Sequence, residues 1–147
     1  SKILLGGEMS GHFFFKERWF GFDDGIYAGA RLLEYLSKQP SLERTFQRLP
    51  KSISTPELQI QCAAGENFLI TEELKKSDCF SSAEEKITMD GIRAEYRDGF
   101  GLARASNTTP TIVLRFEATT KQALERITGE FRKAIVKVAP HLTFPDD

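Results

Sequence analysis

Residues 104–110, with the sequence Arg-Ala-Ser-Asn-Thr-Thr-Pro, bring a permanent positive charge, three hydroxyl groups and an amide into one short segment. An arginine guanidinium offers a planar fork of donors that matches phosphate oxygens, and the neighbouring hydroxyl and amide groups can satisfy the oxygens that remain. Pro110 restricts its own backbone and that of Thr109, which stiffens the segment. The pattern indicates a site for a phosphate monoester, although an ordinary polar turn with a solvated Arg104 would have the same composition.

A second polar segment, Gly-Gly-Glu-Met-Ser-Gly-His at residues 6–12, directly follows an apolar run. In open α/β sheets, ligands bind beyond the carboxyl ends of strands. Glu8 can accept hydrogen bonds from two vicinal hydroxyls, Ser10 adds a donor and an acceptor, and His12 can move a proton near neutral pH. The alternatives are a cap or loop carboxylate for Glu8 and a hydrogen-bonded structural imidazole for His12. The other histidine, His141, is expected to be a surface residue.

The segment that carries Glu8 and His12 starts from a short apolar run at residues 3–5, which predicts a strand buried on both faces of a parallel sheet. A dense aromatic stretch at 13–22 follows and must also be buried. Asp23 and Asp24 predict the N-cap and an acidic first turn of the next helix.

Two helices are predicted after the aromatic stretch. The first spans about residues 24–37 and carries an apolar stripe with Ile26 and Leu33, and the second is a short helix between residues 40 and 50. One strand and two helices in about 50 residues cannot bury enough surface to be stable alone. We therefore expect the chain to be the carboxy-terminal portion of a larger enzyme, cut inside a domain.

The elements after residue 51 form a more self-contained set. They are predicted as strands over residues 58–62, 86–89, 92–96, 100–103 and 111–118, and as helices over residues 66–77 and 120–138. In the helix at 66–77, Phe68, Leu69 and Leu74 are expected to face inward. Asp90 and Gly91 form a dipeptide that is typical of a two-residue hairpin turn. Helices that cover one face of a mostly antiparallel sheet describe an α+β domain.

Composition narrows the function classes. The 147 residues carry a formal net charge of −1 with interspersed signs, which gives no electrostatic footprint for nucleic acid or an anionic membrane. No apolar run approaches the roughly 20 residues needed to span a bilayer. Cys62 and Cys79 lack the spacing of metal ligands and are expected to be reduced thiols of a cytoplasmic protein. We expect neither a nucleic-acid nor a membrane partner.

Three stretches of sequence, at residues 7–12, 15–25 and 104–110, together resemble the α-D-phosphohexomutases. Within that superfamily the chain is similar to the bacterial phosphomannomutase/phosphoglucomutase enzymes over nearly its whole length. The resemblance implies that residues 1–51 are the end of the third domain of such an enzyme and that residues 52–147 form its fourth domain. The expected fold is an α+β carboxy-terminal domain, a four-stranded and mostly antiparallel sheet with helices on one face, preceded by the end of a mixed α/β domain.

The resemblance also implies an activity, the interconversion of hexose 1-phosphates and hexose 6-phosphates through a bisphosphorylated intermediate. The expected ligands are glucose 1-phosphate, glucose 6-phosphate and the mannose phosphates. The family requires a phosphorylatable serine loop and an aspartate-rich magnesium loop, and this sequence contains neither. Magnesium (Mg2+) and the amino-terminal domains of the same enzyme are therefore expected to act with this chain, which should be inactive alone.

The same resemblance assigns roles to both polar segments. The sugar is expected to be bound by Glu8, Met9, Ser10, Gly11 and His12, of which His12 is the catalytic residue that assists proton transfer. The phosphate that is not being transferred is expected to be bound by Arg104, Ala105, Ser106, Asn107 and Thr108. No metal ligand is expected in the chain. The alternative is a non-catalytic module that binds a phosphosugar or another anion through the same loop.

Overall fold

The computed structural model of the protein describes residues 3–8 and 10–145. The chain divides into two compact units, one up to Pro50 and one from Lys51 onward.

The first unit begins with a short hairpin. Strands β1 (Leu5–Gly7) and β2 (Phe13–Phe15) pair antiparallel, with Gly6 opposite Phe14. Helices α1 (Gly25–Ser37) and α2 (Leu42–Gln47) follow, which confirms both helices predicted there.

Side chains of α1 pack against the aromatic stretch at residues 13–22. The ring of Tyr27 stacks on Trp19, with centroids 4.3 Å apart, and lies edge-on to Phe15. The guanidinium of Arg31 lies 4.9 Å above the Phe15 ring, a contact in which the cation is attracted to the face of the ring. Asp24 caps α1, because its carboxylate accepts a hydrogen bond from the Tyr27 backbone N–H at 2.9 Å. The aromatic stretch and the start of α1 therefore hold one another in place.

Apolar side chains of the first unit remain largely exposed. Leu5 is 53% exposed, and Ile26, in the predicted apolar stripe of α1, is 90% exposed. None of the described residues up to Pro50 is buried. The strand predicted from residues 3–5 is found as β1, which pairs antiparallel with β2 among the described residues. Its burial in a parallel sheet stays a prediction, because the parallel neighbours that it requires were expected outside this chain.

The second unit consists of one antiparallel sheet and two helices. The strands are β3 (Ile53–Ser54), β4 (Leu58–Gln61), β5 (Glu85–Ile87), β6 (Ile92–Tyr96), β7 (Gly99–Ala105) and β8 (Thr111–Ala118), and the helices are α3 (Glu66–Lys75) and α4 (Lys121–Val138). The strand order is β3-β8-β7-β6-β5, and β4 also pairs with β8. The predicted α+β class is confirmed, but the described sheet has six strands and not the four that were expected, because β3 and β5 add short pairings of two and three residues to β4, β6, β7 and β8.

The core of the second unit lies between the sheet and its helices. Ile112, Leu114 and Phe116 alternate along β8 and are fully buried, as the period of a half-covered strand requires. From α4, the buried ring of Phe131 packs 5.2 Å from Phe116, measured between ring centroids. Gly101 on β7 faces this ring, and a Cβ atom there would collide with it. These contacts give β7 and β8 a rigid base.

Two local predictions for the second unit are wrong. The buried face of α3 contains Asn67, whereas Phe68 and Leu69 are 48% and 71% exposed. The hairpin between β5 and β6 is closed by residues 88–91 and not by a two-residue turn, because β5 already ends at Ile87, opposite Arg93. Asn67 takes the inward position in α3 because its side chain donates hydrogen bonds to backbone carbonyls of the neighbouring loop.

None of the described helices combines the length and the apolar character that a transmembrane helix would need. Cys62 and Cys79 are free thiols. Burial raises the pKa of the Cys62 thiol, which disfavours the reactive thiolate.

Candidate functional site

The first predicted loop closes the β1–β2 hairpin. The Glu8 N–H donates to the carbonyl of His12 at 2.9 Å, and the Gly11 N–H donates to the carbonyl of Glu8 at 3.0 Å. Gly11 has a φ of +87°, a conformation that glycine adopts without strain. The Ser10 hydroxyl donates to a carboxylate oxygen of Glu8 at 3.1 Å. The hairpin thus brings Glu8, Ser10, Gly11 and His12 together, while Met9 lies outside the described residues.

His12 is oriented by a carboxylate that sequence reasoning assigned to a helix end. The His12 Nδ1 atom lies 2.6 Å from Oδ2 of Asp23. Because a carboxylate can only accept, Nδ1 carries the proton, and in the neutral imidazole the lone pair is left on Nε2. Asp23 is placed by a backbone bridge to Phe14 of β2, the strand that starts directly after His12. The pair therefore presents a proton-accepting nitrogen at the exposed mouth of the hairpin.

The second predicted loop connects β7 to β8. Arg104 and Ala105 are the last residues of β7, and the Ser106 N–H donates to the Thr111 carbonyl at 2.9 Å to close the loop. Strand alternation turns Ala105 into the core and leaves the Arg104 side chain exposed. Ala105 can thus offer a ligand only its backbone, whereas Arg104 can offer its whole guanidinium.

Backbone N–H and hydroxyl donors of this loop converge on the hydroxyl oxygen of Ser106. Ser106 Oγ accepts from the Thr109 N–H at 3.2 Å, from the Thr109 hydroxyl at 2.9 Å and from the Thr108 N–H at 3.4 Å. The Thr109 hydroxyl also pairs with that of Thr111 at 2.8 Å. Donors that are gathered around one acceptor in this way can turn to phosphate oxygens instead. The predicted phosphate site named Ser106, Asn107 and Thr108 and not Thr109, whose N–H and hydroxyl both donate to Ser106.

Three residues from other elements contact this loop or the end of β7 that leads into it: Asp90, Gly91 and Asn67. The sequence indicated Asp90 and Gly91 only as a hairpin turn, and it did not indicate Asn67. The carboxylate of Asp90, in the β5–β6 connection, lies 3.5 Å from a guanidinium nitrogen of Arg104. Gly91, with a φ of +76°, lets this connection lie against the β7 backbone at Ala103 and Arg104. From α3, the buried side-chain amide of Asn67 donates to carbonyl groups of the loop.

The two loops belong to different units of the chain, Glu8 to the first and Arg104 to the second. Within the described residues, no group of three or more histidine, cysteine, aspartate or glutamate side chains could hold a metal ion. The remaining histidine, His141, is exposed and lies 2.7 Å from a carboxylate oxygen of Glu66.

Models of two domains of one protein family match the two units of the chain. Residues 57–134 match the family model described as the C-terminal domain of phosphoglucomutase/phosphomannomutase. Residues 1–53 match the model described as alpha/beta/alpha domain III of the same family.

Individual relatives match the chain along nearly all of its length. It is 58% identical to a phosphoglucomutase of Neisseria gonorrhoeae over 97% of the chain, and 55% identical to a phosphomannomutase/phosphoglucomutase of Pseudomonas syringae over 99% of the chain. A crystal structure of a phosphoglucomutase/phosphomannomutase family protein from Burkholderia thailandensis superposes with a TM-score of 0.86 and 50% identity, over 97% of this chain and 30% of that one. The chain spans 31% of the length of each of the two curated relatives.

Proposed function

Because the chain belongs to the phosphoglucomutase/phosphomannomutase family, we propose that it is the substrate-binding part of a mutase that interconverts hexose 1-phosphates and hexose 6-phosphates. The ligands are the phosphates of glucose and mannose, and the reaction passes through a bisphosphorylated sugar. The observation that carries this proposal is the connection between β7 and β8, in which Arg104 near the end of β7 is followed by hydroxyl and N–H donors gathered on Ser106.

The loop suits a phosphate dianion for electrostatic and geometric reasons. A guanidinium binds two phosphate oxygens at once, and charge-assisted hydrogen bonds of this kind are about twice as strong as neutral ones. The Ser106 and Thr108 hydroxyls and the Asn107 side-chain amide can donate hydrogen bonds to the third phosphate oxygen. In the proposed reaction this loop holds the phosphate that is not being transferred.

The hairpin loop suits the sugar. The Glu8 carboxylate accepts hydrogen bonds from two adjacent ring hydroxyls, and Ser10 keeps that carboxylate in place through its own hydrogen bond. His12 takes the proton from the attacking sugar hydroxyl on Nε2 and returns it in the reverse direction, while Asp23 stabilises the imidazolium that forms. Gly11 belongs to the same loop, and Met9, which follows Glu8 in the sequence, is proposed to bind the sugar as well.

The rest of the catalytic apparatus is proposed to lie outside this chain. Residues 1–51 are then the end of the third domain and residues 52–147 the fourth, in keeping with the two family models. Exposed apolar side chains of the first unit, Leu5 and Ile26 among them, would pack against the amino-terminal domains of the same cytoplasmic enzyme. The described residues offer no donor set that fits Mg2+, so we assign the magnesium site and the phosphoserine to those domains.

A mutase assay tests this proposal. The full-length protein that carries this chain should convert glucose 1-phosphate to glucose 6-phosphate in the presence of magnesium, and the 147-residue chain alone should not. Adding a separately purified amino-terminal fragment to the chain should restore part of the activity. Binding of glucose 1-phosphate without turnover in every combination would instead identify a phosphosugar-binding module, and the mutase proposal would be abandoned.

A further inference from the structure

The β7–β8 loop is held from inside by one side chain. Asn67, near the start of α3, is 1% exposed. Its side-chain nitrogen lies 3.0 Å from the carbonyl oxygen of Ser106, 3.4 Å from that of Thr109 and 3.3 Å from that of Thr111. A carbonyl oxygen only accepts hydrogen bonds, so the group that contacts all three carbonyls must be a donor. The amide nitrogen of Asn67, and not its amide oxygen, therefore faces them.

This arrangement sorts the polar groups of the loop into two sides. Carbonyl oxygens of the loop turn inward to Asn67, whereas the N–H groups of Thr108 and Thr109 turn to the Ser106 hydroxyl. A carbonyl oxygen carries partial negative charge and would repel a phosphate, while an N–H or O–H group attracts one. Holding the carbonyls inside therefore leaves a surface of donors for the anion.

Burying Asn67 costs free energy, which supports a specific structural role for its side-chain N–H groups. The side-chain oxygen of Asn67 is buried and has no hydrogen-bond partner among residues 3–8 and 10–145. An unpaired buried acceptor destabilises the fold, so the contacts made by the nitrogen must offset that loss. The other positions of the same helix face include Leu74, which packs without any polar cost.

We propose that Asn67 is a positioning residue for the phosphate loop, acting through the backbone of Ser106, Thr109 and Thr111 without touching the ligand. This proposal rests on the proposed function, because it assigns the loop a phosphate. Asn67 sets the affinity of the loop by fixing which of its backbone groups face outward.

The test replaces Asn67 by leucine, which has a similar volume and no donor, in the full-length protein. Hydrogen exchange of the Ser106 and Thr111 amides, measured without ligand, should become about tenfold faster or more, because the carbonyls opposite them are no longer held. Affinity for glucose 1-phosphate, measured by calorimetry, should fall about tenfold. If the leucine variant does not fold, Asn67→Ser, which is smaller and keeps a donor, takes its place with smaller expected changes.

Thr71→Val is the matched control. Thr71 lies one turn further along the same buried face of α3, and its hydroxyl donates only to the Asn67 backbone carbonyl, at 2.7 Å. This variant should leave loop exchange and affinity within about twofold of the parent.

The outcomes separate this inference from the proposed function. If the parent binds glucose 1-phosphate and Arg104→Ala weakens binding, but a folded Asn67→Leu variant matches the parent in affinity or in loop exchange, the positioning role is refuted. If the parent itself does not bind glucose 1-phosphate, the proposed function fails first, and the phosphate role of Asn67 fails with it.

Discussion

Replacing His12 by asparagine in the full-length enzyme should lower kcat for glucose 1-phosphate by about 100- to 10,000-fold, the range that a positioned general acid–base contributes. The expected loss follows from the hydrogen bond between His12 and Asp23, which leaves Nε2 as the only nitrogen that can accept a proton from the sugar. The Michaelis constant should change much less, since Glu8 and the phosphate loop still hold the substrate. Steady-state kinetics of glucose 6-phosphate formation measure both constants.

Two further variants make the result specific to this pair. His141→Asn removes the other histidine, which pairs with Glu66 on the surface, and should leave kcat unchanged. Asp23→Asn should lower kcat by less than His12→Asn, because the imidazole remains but its preferred tautomer is no longer imposed. Equal activity of the His12→Asn variant and the parent would remove His12 from the mechanism.

Replacing Arg104 by alanine should lower kcat/KM for glucose 1-phosphate by about 10- to 150-fold. A hydrogen bond to a charged group contributes about 1.5–3 kcal/mol, and every 1.4 kcal/mol corresponds to a factor of ten. Arg104→Lys should fall between the alanine variant and the parent, because lysine keeps the charge and loses the planar fork. The same kinetic assay, extended to mannose 1-phosphate, should show the same loss, since the phosphate is common to both sugars.

Arg97→Ala is the control for lost charge. Arg97 is exposed in the tight turn between β6 and β7, at the opposite end of β7 from Arg104. At 3.3 Å per residue along the strand, the two side chains start about 20 Å apart. The control should retain kcat/KM, and a comparable loss in both variants would mean that Arg104 acts only through the overall charge of the unit.

Periodicity predicted the longer elements of the second unit well because each of them has buried residues within the same unit, whereas the exposed two-residue strand β3 was not predicted. The alternation of Ile112, Leu114 and Phe116 locates β8, and helical spacing places Ile127 and Phe131 of α4 in the core. In the first unit the same reasoning identified α1 and α2 but did not indicate the antiparallel pairing of β1 with β2. A pattern of apolar residues indicates what a segment could bury and not which neighbours it has.

The sequence also indicated some residues of the candidate site and not others. Residue types alone were enough to single out Glu8, His12 and Arg104, because charged or titratable groups in short polar loops are conspicuous in a sequence. Asp23 was interpreted as part of a helix start, since Asp24 beside it does cap α1, and its pairing with His12 depends on how the intervening β2 hairpin folds. Asn67 escaped notice because it lies 39 residues before Ser106 and its neighbour Phe68 is the more apolar candidate for burial.

A crystal structure of the full-length enzyme with bound glucose 1-phosphate tests the central claim most directly. We expect the phosphate oxygens within hydrogen-bond distance of the Arg104 guanidinium and the Ser106 hydroxyl, and ring hydroxyls within that distance of the Glu8 carboxylate. A phosphosugar bound elsewhere, with Arg104 still facing Asp90 and Glu8 facing only solvent, would contradict the assignment of both loops.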